Sequence, residues 1–190
     1  IETHFYWQGL TKDVHERVRG CHLCQMRKQT RPKRHSHPGG FVASEPFELV
    51  VIDMVTYLPE SDGNVALFTI VDVFSKLAVA IPVPNETSET VGRALLKRFF
   101  SVYGYPKLIL SDRAKGFVSS GLKWLCKHMG IAKINTTGLL PTGAAPVERY
   151  HRSLGASLTM VCNQSKNDWS FLMDSVVFAY NISVNETSGY

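Results

Sequence analysis

The pattern of apolar and polar positions changes character at Phe47. From there Phe47–Val55, Val65–Phe74 and Leu77–Val83 are β-branched or aromatic runs of strand length, separated by short polar turns. The first turn carries Asp62-Gly63-Asn64, residue types that tolerate the positive φ of a tight hairpin. These runs predict an antiparallel meander. The period then lengthens to that of a helix. Thr87 and Glu89 open one whose apolar face is Val91, Leu95, Phe99 and Val102, and Gly104 with Pro106 closes it. Lys107–Leu110 is a short buried strand that closes on Asp112. A second helix places Val118, Leu122, Leu125, Cys126 and Met129 on one face and stops at Gly130, and Ile131–Ile134 is a brief strand. After a proline-bearing loop, a helix from Val147 to Val161 turns Leu154, Leu158 and Val161 inward. A last helix, capped by Asp168, buries Leu172, Val176 and Ala179 and ends near Asn181.

Strands joined through helices run parallel to the first by right-handed crossovers. The order therefore predicts a mixed α/β sheet with helices on its faces. In such open sheets a ligand site gathers at strand ends near the switch in strand order. Asp53 and Asp112 end strands that meet there.

Ahead of Phe47 the pattern is thinner. Phe5-Tyr6-Trp7 is an aromatic cluster, and Asp13–Arg19 reads as a short helix with Asp13 as N-cap and Gly20 as its stop. Cys21-His22-Leu23-Cys24 follows. Residues 31–46 are basic, rich in Pro and Gly and without periodicity, which marks a linker. The layout expected is a small segment at 1–30, a linker at 31–46 and a main domain at 47–190.

Composition narrows the class. The 190 residues are 44% hydrophobic and 19% charged, as in a globular protein, with neither a membrane-length apolar run nor a signal-peptide pattern. Four cysteines, two of them in one Cys-x-x-Cys, fit a reducing compartment better than a disulfide framework. The net charge of +5 is unevenly placed. Residues 1–46 hold eight Lys/Arg against four acids, and residues 47–190 hold thirteen against twelve. A basic stripe from Arg17 to Arg34 suits a polyanion partner and equally a solvated linker.

Three acids carry the candidate chemistry. Asp53 and Asp112 end strands, and thirty-five residues separate Asp112 from Glu148, which lies where the loop gives way to a helix. Carboxylates that converge repel one another unless a cation neutralises them, and hard Mg²⁺ or Mn²⁺ is the usual one. Two such ions activate an attacking oxygen and stabilise a leaving one in phosphoryl transfer. Taken singly, each acid is as well explained by loop hydrogen bonds or by a favoured place in a helix's first turn. Cys21 and Cys24 supply two of the four ligands of a structural zinc site, or else two reduced thiols in a turn. His4, His15, His22, His35 and His37 lie near them without a clear ligand spacing.

The spacing of Asp53, Asp112 and Glu148 resembles the catalytic triad of retroviral and long-terminal-repeat retrotransposon integrases, and so do the flanking words. Asp72-Val73-Phe74-Ser75-Lys76 is similar to the family's D-x-F-S-K/R. Ser111-Asp112-Arg113 is similar to its S-D-R/Q/N-G, and Val147-Glu148-Arg149 with His151-Arg152 to its V-E-R-x-H/N-R. Phe178–Asn181 and Thr187–Tyr190 resemble its closing helix and loop. Phe5-Tyr6-Trp7 with Cys21 and Cys24 resembles the end of its zinc domain, nearest the Gypsy/Ty3 type.

The resemblance implies an RNase H-like core with a five-stranded mixed sheet, preceded by the end of a zinc domain. It implies a metal-dependent polynucleotidyl transferase that processes element ends and joins them to target DNA. Asp53, Asp112 and Glu148 would hold Mg²⁺ or Mn²⁺, with two ions expected. Zn²⁺ would bind Cys21 and Cys24 only together with a His pair upstream. Phosphates of double-stranded DNA would meet Arg113, Lys115, Arg149, Tyr150 and Arg152. A homo-oligomeric assembly, no membrane, action in the nucleus and cytoplasmic assembly within a longer polyprotein are also implied. Two positions depart from the pattern. Ala114 stands where the family has glycine, and Thr142, Gly143, Ala144 and Ala145 replace its Gln-x-Asn-Gly. The other readings are an inactive nucleic-acid-binding remnant and a nuclease of the same fold, for which Asp72 is the nearest spare carboxylate.

Overall fold

A computed structural model describes residues 5–22, 42–136, 145–163 and 166–184. The chain divides into two compact units, Ile1–Ser36 and His37–Tyr190.

In the first unit, α1 (Leu10–Gly20) starts three residues earlier than its sequence suggests, after Gly9 at φ 91°. Asp13 is therefore not its N-cap. Its carboxylate instead accepts the indole N–H of Trp7 at 2.9 Å, which ties the aromatic cluster to the first turn.

The second unit is built on a five-stranded sheet in the order β3-β2-β1-β4-β5, comprising β1 (Leu49–Val55), β2 (Ala66–Asp72), β3 (Ala78–Val83), β4 (Leu108–Ser111) and β5 (Ala132–Asn135). β1, β2 and β3 form the antiparallel meander, while β4 pairs parallel to β1 and β5 parallel to β4. The mixed sheet is the one expected. Its two faces carry separate cores because side chains alternate along each strand. Val50, Ile52, Phe68, Ile70 and Ile109 face one core. Leu49, Val51, Leu67, Val71 and Leu110 face the other. β2 is buried along its whole length, which is why it reads as a nearly unbroken apolar run.

The first face is covered by α2 (Ser88–Ala94), by α3 (Lys115–Val118) and by α4 (Ser120–His128). Thr87 caps α2 by accepting from Thr90 N–H. The helix does not keep one period. It widens into a π-helical stretch, Leu95–Phe100, before a last α turn at Ser101–Tyr103. The wider turn rotates later residues round the axis, so Phe100 is buried and Val102, expected inward, is 65% exposed. The predicted second helix is broken at Ser119, which caps α4 through Leu122 N–H, and Phe117 rather than Val118 enters the core. Gly116 sits so close to α2's entry that a Cβ there would lie 2.5 Å from the Glu86 carbonyl oxygen.

The second face is covered by α5 (Ala145–Val161) and α6 (Trp169–Asn181). Val147, Tyr150 and Leu154 of α5 are buried one turn apart, whereas Val161 is exposed at its end. On α6 Val176 is inward as expected, together with Trp169 and Met173, while Leu172 is only partly buried and Ala179 is exposed. Trp169 donates its indole N–H to Pro59 C=O at 2.6 Å. Asp168 makes no side-chain cap, and its carboxylate accepts from Asn163 N–H instead. No helix among the described residues is long and apolar enough to cross a membrane.

Candidate active site

The register places the site. Val51 pairs with Leu110 across the parallel β1–β4 edge, so Asp53, still within β1, and Asp112, just past the end of β4, lie side by side two residues further on. Alternation turns Asp53 to the face of Val51, the face covered by α5. On α5, Val147 is buried against that face and Glu148 follows it at the exposed helix start. Three segments far apart in the chain thus converge on one end of the sheet.

Their proximity is recorded in the acid–base chemistry of Asp53. Its carboxyl is pushed up from 3.8 to about 6, chiefly by burial, with the negative fields of Asp112 and Glu148 adding to the rise. The Met54 N–H, donating to Oδ1 at 2.8 Å, opposes it. Asp53 is 30% exposed at its side chain, while Asp112 and Glu148 are open to solvent. Among the described residues, no three His, Cys, Asp or Glu donors are drawn into a closed ligand set. The donor chemistry nevertheless suits a hard divalent cation: oxygen donors of like charge, one of them already resisting ionisation.

Asp112 is positioned from both sides. Its Oδ1 accepts Ala114 N–H at 2.9 Å, closing the turn that starts α3. Ala114 adopts φ −57°, so alanine fits where the family's glycine stands, with no positive φ to be relieved. Behind it, buried Ser111 belongs to a polar knot across the β4–β5 ends. Lys133 Nζ donates to Ser111 Oγ at 2.5 Å and to Asn135 Oδ1 at 2.7 Å, and Thr136 N–H donates to Ser111 C=O at 2.7 Å. Burial lowers the Lys133 ammonium to about 8, with a smaller opposing pull from Asp112 among its neighbours.

Asp72 has a different task. It is 1% exposed and accepts from Phe47 N–H at 3.1 Å, Ser75 N–H at 2.9 Å and Ser75 O–H at 2.6 Å. Lys76 completes this turn by donating to Val73 C=O. The D-x-F-S-K word therefore builds the β2–β3 turn, and Asp72 is not a fourth acid of the site.

Two further residues join the site: Thr69, which sequence reasoning did not single out, and His151, which entered there only as part of the V-E-R-x-H/N-R word. Thr69 lies directly opposite Asp53 in the β1–β2 register. Its hydroxyl donates to Asp53 C=O at 3.1 Å and lies 2.7 Å from His151 Nε2. His151 Nδ1 approaches Asp53 Oδ2 to 3.7 Å. Burial lowers the imidazole's pKa, so near neutral pH this approach is not an ion pair. The signal available in the sequence was a threonine inside the otherwise apolar Ala66–Val71 run and a histidine one turn after Glu148.

Of the expected DNA contacts, Arg113, Lys115, Arg149 and Arg152 are exposed. Tyr150 is not. It is 0% exposed, packed edge-to-face on Tyr180 at 4.8 Å, and so presents nothing to DNA. The loop substitutions at 142–144, residue Cys24 and most of the linker lie outside the described residues, as does the side chain of Ala145. Cys21 lies at the end of α1, half-buried.

Residues 43–137 match the family model described as "Integrase core domain", and residues 1–30 match "Integrase zinc binding domain". The chain belongs to the integrase core family. The core match spans Asp53 and Asp112, while Glu148 lies beyond it. Relatives include the Transposon Tf2-3 and Tf2-4 polyproteins of Schizosaccharomyces pombe. Each is 30% identical over 186 residues, covering 97% of this chain and 14% of the relative. This integrase chain thus spans about 14% of the length of those polyproteins. Its fold is similar to the catalytic core domain of BIV integrase, with a TM-score of 0.54 at 23% identity over 75% of this chain and 86% of that one. The five-stranded sheet with its helices is the RNase H-like core of that fold.

Proposed function

We propose that this integrase region joins retroelement DNA to target DNA by metal-dependent phosphoryl transfer, first trimming the element's 3′ end and then using the freed hydroxyl on the target. One observation carries the reading: the β1–β4 register sets Asp53 beside Asp112 where α5 brings in Glu148, close enough that both acids add to the rise that burial chiefly imposes on the Asp53 carboxyl. A fold that needed these acids only for stability gains nothing from clustering them.

Asp53, the most buried of the three, would hold the cation together with Asp112 and Glu148. Bound there, one or two Mg²⁺ or Mn²⁺ ions supply activation of the attacking oxygen and neutralisation of charge at phosphorus. The chain's own part is positioning. Ala114 N–H and the Ser111–Lys133 knot hold Asp112, and Met54 N–H holds Asp53. Arg113, Lys115, Arg149 and Arg152 surround the acids with exposed cations that suit phosphates of double-stranded DNA, contacts that orient without reading sequence. The acting form is a homo-oligomer working in the nucleus, released from a polyprotein assembled in the cytoplasm. A zinc ion at Cys21 and Cys24 would need two further ligands besides these thiolates.

The test is strand transfer of an oligonucleotide end into a plasmid with Mn²⁺ or Mg²⁺, using the chain within its longer protein. Product is expected from the parent and none from Asp112→Asn. Product that survives this substitution overturns the mechanism. A dead parent that still binds DNA favours the inactive-remnant reading.

A further inference from the structure

The contacts of Thr69 select one tautomer of His151. Thr69 has one hydroxyl hydrogen and two polar neighbours: Asp53 C=O at 3.1 Å, which can only accept, and His151 Nε2 at 2.7 Å. Both contacts are hydrogen bonds only in the tautomer whose ring donates from Nε2. In that tautomer Nδ1 carries a lone pair, and it faces Asp53 Oδ2 at 3.7 Å. Two electron-pair donors confront each other at a distance too long for a hydrogen bond. The gap is within what two metal–ligand bonds of about 2.0–2.2 Å can span through a common ion. The ring is largely enclosed: its side chain is 21% exposed, on the α5 turn after Glu148. A ring N–H given to a protein acceptor, with the other nitrogen aimed at carboxylates, is how metal-bound histidines are commonly supported.

We propose that His151 is a nitrogen ligand of the cation held by Asp53, aimed by the Thr69 hydroxyl, and that the site therefore prefers Mn²⁺ to Mg²⁺. This rests on the reading of Asp53 as a metal-holding carboxylate. It goes further in adding a fourth side chain to the acids and a choice between ions. Imidazole nitrogen suits first-row transition ions, whereas Mg²⁺ takes oxygen and water. Thr69 is a positioning residue here. It touches the backbone of Asp53 and the far nitrogen of the ring, and never the ion.

The experiment uses the whole chain with Mn²⁺ alone, read by pulsed electron paramagnetic resonance. The bound ion is expected to show ¹⁴N coupling, which changes to the ¹⁵N pattern when the histidines are ¹⁵N-labelled. His151→Asn should abolish that coupling and weaken Mn²⁺ binding by about 10-fold, with Mg²⁺ binding changed less than about 2-fold. Thr69→Val, which keeps the side chain's shape, should weaken the coupling while the fold melts normally. Asp53→Asn should weaken both ions. Mn²⁺ that depends on Asp53 but shows no ¹⁴N coupling in the parent overturns the inference and leaves the active-site reading standing. Coupling that survives His151→Asn does the same. Mn²⁺ binding indifferent to Asp53→Asn overturns both.

Discussion

The Asn181 side chain bonds both backbone groups of Ala78: its Nδ2 donates to Ala78 C=O at 2.9 Å, and its Oδ1 accepts Ala78 N–H at 2.9 Å. Ala78 opens β3, the outermost strand, so the end of α6 does for that edge what a further strand would do. Ala78 is 0% exposed, and water cannot replace the lost partners. Asn181→Ala should cost about 2 kcal/mol in urea unfolding. Asn181→Asp, which keeps the acceptor and loses the donor, should also destabilise.

Asp53 makes the metal-free protein's stability depend on pH. Its carboxyl is raised in the folded state, from 3.8 to about 6, so the folded protein holds this proton more tightly than the unfolded chain. Its contribution is fully present below about pH 4 and is lost as pH rises through about 6. The loss is roughly 1–3 kcal/mol. Urea melts in chelator should show this decline, and Asp53→Asn should flatten it and be the more stable protein at pH 8. Added Mn²⁺ should restore the parent's stability at that pH and do little for the variant.

Tyr150 and Arg152 separate packing from DNA contact two positions apart on α5. The Tyr150 hydroxyl is buried without a hydrogen-bond partner, and burial drives its pKa far upward. Tyr150→Phe should leave stability unchanged or raise it by about 1 kcal/mol. Duplex affinity, measured by fluorescence anisotropy, should not change. Arg152→Ala should weaken binding to any duplex and reduce the slope of log affinity against log salt by about 1.

Asp72 offers the converse separation. Removing a carboxylate that accepts three hydrogen bonds in the core should cost about 3 kcal/mol in Asp72→Ala. Wherever that variant remains folded, its Mn²⁺ affinity should match the parent's. A loss of affinity equal to that of Asp53→Asn would return Asp72 to the site.

The sequence alone determined the strands, the meander, the parallel additions and the three acids. Those features are written locally, as β-branched runs, a turn triplet and acids at strand ends, and burial on two faces keeps the runs apolar enough to read. Helix phase was less local. The π-helical stretch at Leu95–Phe100 displaced Val102 outward, and on α6 Met173 rather than Leu172 is buried beside the expected Val176, with Trp169 anchored to Pro59 C=O. Neither leaves a periodic mark in the residues concerned. The roles of the acids' neighbours were decided only in three dimensions. Tyr150 looked like part of a basic DNA-contacting run and is core, because the α5 face that carries it packs on β1, β2 and α6. Thr69 and His151 are 82 positions apart and meet only because β2 pairs with β1 and α5 crosses both. A hydrogen bond between distant residues depends on register and crossover, and neither is encoded at the two positions it joins.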